Sequence, residues 1–410
     1  MMGRFCRYLA KVFDFGQRIS HLRDRRKRPR LSTGAIWGSV FFLFVTRQGS
    51  LHAMEGQLRW PRRMERIVGL KKPSADRMGE VLGLMDPDQL RAMLSGINHQ
   101  VGRNKALRNG WPFRVGVLDG HEFFSSRRRC CPECCQRKIQ VKGQEVVEYY
   151  HRGVVFHLVG FPIAMPLEVE MVRPGEDEVA AARRLLLRVL KPYGRFFDVA
   201  LTDALYFQTP FLNFCINHGK DVITVLKDEK RVLFQDAKGL FSQMKPQGWE
   251  EGGRKIQAWD AEGFTSAEGV KVPLRVLHTE EIQTRRHRQG YGWAEKTETH
   301  SWWWVTTLPL SRMSTRLFWK IGHSRWEIEN DLFHTLSTYW SLDHGFHHEP
   351  TAIVNFILTL FIAFVLIQSF YRGNLKSQRR KYLTLIALAR EFYLGVATLK
   401  APAPWLNRGG

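Results

Sequence analysis

The chain has 410 residues, 44% hydrophobic and 25% charged, a composition that excludes a disordered or fibrous protein and is long enough for two or three domains. Its 62 Lys and Arg stand against 39 Asp and Glu, and a formal charge of +23 points to a polyanionic partner, either nucleic acid or an anionic membrane surface. Six cysteines, four of them crowded into residues 130–135, cannot form the dispersed framework of a secreted disulfide protein, and the N-terminus lacks an apolar signal run, so a reducing, cytoplasmic location is expected.

Taken in order, residues 1–110 hold 22 Lys and Arg against 8 Asp and Glu, residues 111–370 hold 32 against 30, and residues 371–410 hold 8 against 1. This division predicts a helical DNA-binding domain over 1–110, a carboxylate-rich catalytic domain over 111–370 and a basic C-terminal tail over 371–410. Within the first, the one-signed run RDRRKRPR offers Arg23, Arg25, Arg26, Lys27, Arg28 and Arg30 to DNA phosphates. The apolar run Ile36–Val45 is too short to span a bilayer and reads as a core helix. Ser74 or Asp76 caps a further helix, and Asp86 another whose first turn takes Pro87.

From about residue 112 short β-branched runs alternate with a helix pattern. Arg114–Leu118 reads as a buried strand ending at Asp119-Gly120, with further strands at Gly153–Val159, Leu167–Val172, Phe197–Thr202 and Asp221–Leu226. Asp177–Leu190 is an amphipathic helix, and another runs through Cys215. Such alternation predicts an α/β fold with some parallel pairing. Residues from about 227 to 306 break the rhythm and read as a β-rich insertion. In it Trp302, Trp303 and Trp304 precede a strand; alternate strand positions face a core, which leaves Trp303 as the candidate to stack on an unpaired base. Ala352–Phe370 approaches the ~20 apolar residues of a membrane span. It carries Asn355, Thr359, Gln368 and Ser369, so a buried core helix, with no membrane partner, is the expectation.

Asp119 and Asp203 each follow a buried strand, where open α/β sheets place their ligand crevices. A third carboxylate, Glu329, lies on a helix one turn from Arg325. Asp198 lies at the other end of its strand, about 16 Å from Asp203, and Glu327 sits about 160° around the helix from Glu329. Three converging carboxylates would hold two Mg2+ ions, with Mn2+ as a substitute, and two ions about 3.5–4 Å apart suit phosphodiester chemistry.

At these residues the chain resembles a known family. LDGHEFFSS around Asp119, LTDALY around Asp203 and HSRWEIENDLFHTLSTYWSLDHGFHHEPTAI around Glu329 are similar to the DDE transposases of bacterial insertion sequences, in the subgroup with a Tyr-Arg-Glu-Lys signature. The resemblance implies a ribonuclease-H-like core with a β-rich insertion and catalysis by Asp119, Asp203 and Glu329, assisted by Arg325. It also implies Mg2+ dependence, cut-and-paste movement of an element whose double-stranded ends the N-terminal domain recognises, and a homodimer in the synaptic complex. By spacing, the signature Tyr falls at Gly322 and the Lys at Leu336 or Ser337, so Arg325 and Glu329 alone match. The alternative is a decayed transposase that only binds DNA.

Cys131 and Cys134 have C-x2-C spacing, which His121, His151 or His157 would complete as a metal site. Four thiols within six residues are crowded, and the expectation is reduced, part-buried cysteines. His344, His347 and His348 are expected to be structural or phosphate-contacting, not metal ligands.

Overall fold

A computed structural model describes residues 1–60, 64–69, 72–103, 110–289 and 292–406; the last four residues of the expected basic tail lie outside them. The chain is mixed α/β, with a large sheet of parallel and antiparallel strands. It divides into two compact units: Met1–Gly110 with Gly120–Tyr193 and Ile328–Gly410, and Trp111–Asp119 with Gly194–Glu327.

The first unit is organised around the helix Pro350–Asn374, on which the helices Thr33–Val45, Ala75–Leu84 and Pro87–Val101 pack. Thr33–Val45 is apolar all round and buries every residue but Ala35, as a helix with no polar face must. Local signals set the helix starts: Ser32, Ser74 and Asp86 each accept a first-turn backbone N–H, at 3.2, 3.3 and 3.0 Å.

Each polar residue of Pro350–Asn374 singled out above has a protein partner. Asn355 Nδ2 donates to the carbonyls of Leu82 (2.7 Å) and Met85 (3.0 Å), and Thr359 Oγ1 accepts from Trp37 Nε1 at 2.9 Å. Gln368 exchanges two hydrogen bonds with the Ala164 backbone, and Ser369 meets the Tyr8 hydroxyl at 2.8 Å. The helix is long and apolar enough to cross a membrane, but 83% of its most apolar window is buried inside the protein, so it is a core helix. The chain's C-terminal region also folds back: Leu385–Ala397 buries Phe392, which stacks on Phe5 at 4.5 Å.

Strand β1 (Val115–Ser126) passes from the second unit into the first. In the first unit β2 (Cys135–Val141) and β3 (Gln144–Val159) form a hairpin whose two turn residues, Lys142 and Gly143, both have positive φ, as a two-residue turn matched to strand twist requires. Strand β4 (Met165–Met171) pairs antiparallel with β3, and the helix Glu178–Tyr193 covers both.

In the second unit β5 (Val199–Thr202) lies parallel to the start of β1 and β6 (Asp221–Val225) parallel to β5. The segment read as an insertion opens with a helix, Val232–Phe241, and continues as an antiparallel meander. It comprises β7 (Gln247–Glu251), β8 (Arg254–Phe264), β9 (Leu274–Gln289) and β10 (Gly292–Thr306). Its last strand returns to pair with β6, Trp304 opposite Val225, so the meander extends the sheet of its own unit.

Candidate active site

The sequence placed Asp119 at the end of a strand. In the structure it stands mid-strand, because β1 continues to Ser126. What the pairing adds is register: Val115, Gly116 and Val117 lie opposite Val199, Ala200 and Leu201. Asp203 follows β5 directly and keeps an extended backbone at φ −83° and ψ −178°. Asp119 on β1 and Asp203 just after β5 thus lie at or beyond the end of the paired stretch of neighbouring parallel strands, which run about 4.8 Å apart.

Asp203 is held from both ends. Its Oδ1 accepts from Leu205 N at 2.9 Å, capping the short turn Ala204–Tyr206, and its carbonyl accepts from Thr224 Oγ1 on β6 at 2.6 Å. A carboxylate as buried as that of Asp119 calls for a cation beside it. Arg325 supplies one: its Nη1 donates to Asp119 Oδ2 at 3.1 Å, with the side chains only 9% and 15% exposed. The guanidinium also lies over the Trp326 ring, 4.2 Å from its centroid.

Arg325 follows the helix Thr315–Ser324, started by Ser314 Oγ and clamped to β9 through buried Glu281. Glu281 accepts from Trp319 Nε1 (2.8 Å) and Arg254 Nη1 (3.0 Å), and it pairs with His323 Nε2 (2.6 Å). Burial alone would raise the Glu281 carboxyl, but His323, Trp319 and Arg254 outweigh it and hold the group below its usual range. At Gly322, where the subgroup signature has Tyr, an added Cβ would come within 2.7 Å of the Trp304 indole. The ring occupies the space a side chain there would need.

Glu329 belongs to the first unit, within a π-helical segment, Ile328–Phe333, that buries Ile328, Leu332 and Phe333. Such wide turns recur at functional sites. Glu327 and Glu329 are both half-buried. A pair that sequence reasoning missed lies in the same unit: His121 Nε2 meets Asp343 Oδ1 at 2.7 Å and its ring stacks on Phe333 at 4.4 Å. His121 is two residues beyond Asp119, and Asp343 is in the WSLDHGF run that the motif contains.

Of the basic run, Arg23, Arg25, Lys27, Arg28 and Arg30 are exposed. Arg26 braces the loop, pairing through Nε (2.8 Å) and Nη2 (2.7 Å) with Asp24 and donating to the Leu31 carbonyl. Burial opposes the Asp24 charge, but bonds from Arg26 and Thr33 hold its carboxyl down to about 2. Trp303 departs from its expected role: its ring stacks on His278 at 4.0 Å and packs against Phe234 and Phe241, so protein rings occupy the surface a base would need. The exposed tryptophan of the meander is Trp293, 74% accessible near the tip of the β9–β10 hairpin and opposite Arg288. Its signal in the sequence was the basic, aromatic run RRHRQGYGW.

A family model described as a transposase DDE domain matches residues 136–366, more than half of the chain. The match contains Asp203, Arg325 and Glu329 and begins after Asp119. No curated protein matches the chain.

Proposed function

Because the chain belongs to the transposase DDE-domain family, we propose that it binds the terminal inverted repeats of a mobile element and cuts and rejoins DNA there by a cut-and-paste route in the cytoplasm. The observation that carries the reading is Asp119 on β1 beside parallel β5, which Asp203 follows directly, with Arg325 bonded to Asp119. The strand order supports a ribonuclease-H-like core, with β5 parallel to the start of β1 and β6 parallel to β5.

Asp119, Asp203 and Glu329 are the proposed Mg2+ ligands. Hard carboxylate oxygens fit that ion. Bound there, Mg2+ would supply Lewis-acid activation of a water or a 3′ hydroxyl and stabilise the leaving oxygen. Arg325 sits where its fork can hold a phosphate of the cleaved strand beside Asp119. The exposed charges of Arg23–Arg30 grip end DNA, Trp293 offers a face for stacking, and a homodimer brings two ends together.

The test is cleavage of end DNA by the full chain in Mg2+. Asp119→Asn, Asp203→Asn and Glu329→Gln are each expected to abolish cleavage and retain end binding, and Ca2+ to support binding with little chemistry. Full cleavage by Glu329→Gln with loss in Glu327→Gln would move the third ligand by two residues. Cleavage by Asp203→Asn at the wild-type rate would overturn the assignment.

A further inference from the structure

Within the first unit, four donors from three separate segments converge. Cys131 and Cys134 come from the β1–β2 connection, His151 from β3, and His348 from the loop before the helix Pro350–Asn374. Their ligand atoms all lie within 4.8 Å of one another. Cys131 Sγ and Cys134 Sγ are 3.6 Å apart, too far for a disulfide bond. His151 Nε2 lies 3.3 Å from the first sulfur and 3.2 Å from the second, and His348 Nε2 lies 3.2 Å from Cys134 Sγ.

We propose that Cys131, Cys134, His151 and His348 bind one structural Zn2+ in a closed tetrahedral site. With Zn–S near 2.3 Å and Zn–N near 2.0–2.1 Å, tetrahedral geometry requires about 3.8 Å between sulfurs and about 3.6 Å between sulfur and nitrogen. The four separations given above lie within about 0.4 Å of these, and every pair of ligand atoms lies within 4.8 Å. The turn has the backbone bonds that steady a thiolate pair: Cys131 N donates to Cys134 Sγ at 3.2 Å and Cys134 N to the Cys131 carbonyl at 3.1 Å. Two thiolates and two imidazoles select Zn2+ over Mg2+, which prefers oxygen. Four protein ligands leave no open position, so the site is structural and not catalytic.

The sequence reading stopped at crowded thiols and excluded His348; the second pair of donors is distant in the chain, and only the tertiary structure brings it to the first. The ion would tie the β1–β2 turn and β3 to the segment joining the π-helical region to the core helix.

The full chain, purified under reducing conditions without chelator, is expected to carry one zinc per chain by mass spectrometry. Replacement by Co2+ should give the visible absorption of a tetrahedral thiolate complex. Cys134→Ser and His348→Ala should weaken binding more than about 100-fold, since losses behind the ligands already cost about 10–100-fold. Cys130→Ser should keep the metal. Stripping zinc from the wild type should speed hydrogen exchange in residues 127–134 and 341–349. Wild-type protein that neither holds zinc nor shows the cobalt spectrum would overturn the site whatever the variants do, and equal loss in Cys130→Ser and Cys134→Ser would overturn the ligand set.

Discussion

Arg325→Ala separates what the guanidinium does for stability from what it does for chemistry. At 3.1 Å from Asp119 Oδ2, the attraction at an effective dielectric constant near 20 is about 5 kcal/mol before desolvation is subtracted. Removing one partner of a buried pair costs about 3–5 kcal/mol. Asp119 keeps 15% of its side-chain exposure, so water stabilises the orphaned carboxylate in part, and the lower end, about 3 kcal/mol, is expected. Urea unfolding followed by tryptophan fluorescence in Mg2+-free buffer reads this loss. Asp119→Asn removes the charge that Arg325 answers, so the double variant should be less destabilised than the sum of the singles by about 2 kcal/mol. Added Mg2+ should restore part of the loss in Arg325→Ala, where a carboxylate pair remains to bind it, and none in the double variant. In cleavage assays Arg325→Ala should lose about 100-fold or more in rate, with little rescue by Arg325→Lys, whose point charge cannot reproduce the fork. Additive single-variant effects within about 0.5 kcal/mol, together with near-wild-type cleavage, would refute both parts of the reasoning.

Three further outcomes follow from the structure. Replacing Arg23, Arg25, Lys27, Arg28 and Arg30 by Gln in the full chain should lower the slope of log affinity against log salt by roughly 0.9 for each charge that reaches a phosphate; an unchanged slope would remove the loop from the DNA interface. Burial depresses His157 to about 3, so the folded state refuses a proton that the unfolded chain accepts near pH 6.5. Its contribution is complete above that pH and is lost on acidification, at about 1.4 kcal/mol per pH unit down to about 3, so His157→Gln should flatten the fall in urea midpoint between pH 7 and 5, and an identical slope would count against it. Asn355→Leu keeps the branched shape but strands the Met85 carbonyl and leaves the Leu82 carbonyl only its long bond from Met85 N at 3.4 Å, so urea unfolding should show a loss of about 1–3 kcal/mol; no measurable loss would mean that other donors replace the amide.

Local chemistry made much of the fold legible in the sequence. The β-branched runs before Asp119 and Asp203, the amphipathic helix that became Glu178–Tyr193, and the caps at Ser74 and Asp86 depend on residues a few positions apart. The polar residues of Ala352–Phe370 likewise signalled a protein environment, because each needs a partner that lipid cannot supply. What the tertiary structure alone decided is which distant groups meet. The parallel register sets Val117 opposite Leu201 across 84 residues, and Arg325 reaches Asp119 across 206. His278, Phe234 and Phe241 close over Trp303, Trp304 fills the space beside Gly322, and His348 arrives 214 residues from Cys134. Hydrophobic periodicity says that a face will be buried but not against what, since any apolar surface of the right shape satisfies it; the partner is chosen by close packing of the whole core, which no local window of the chain contains.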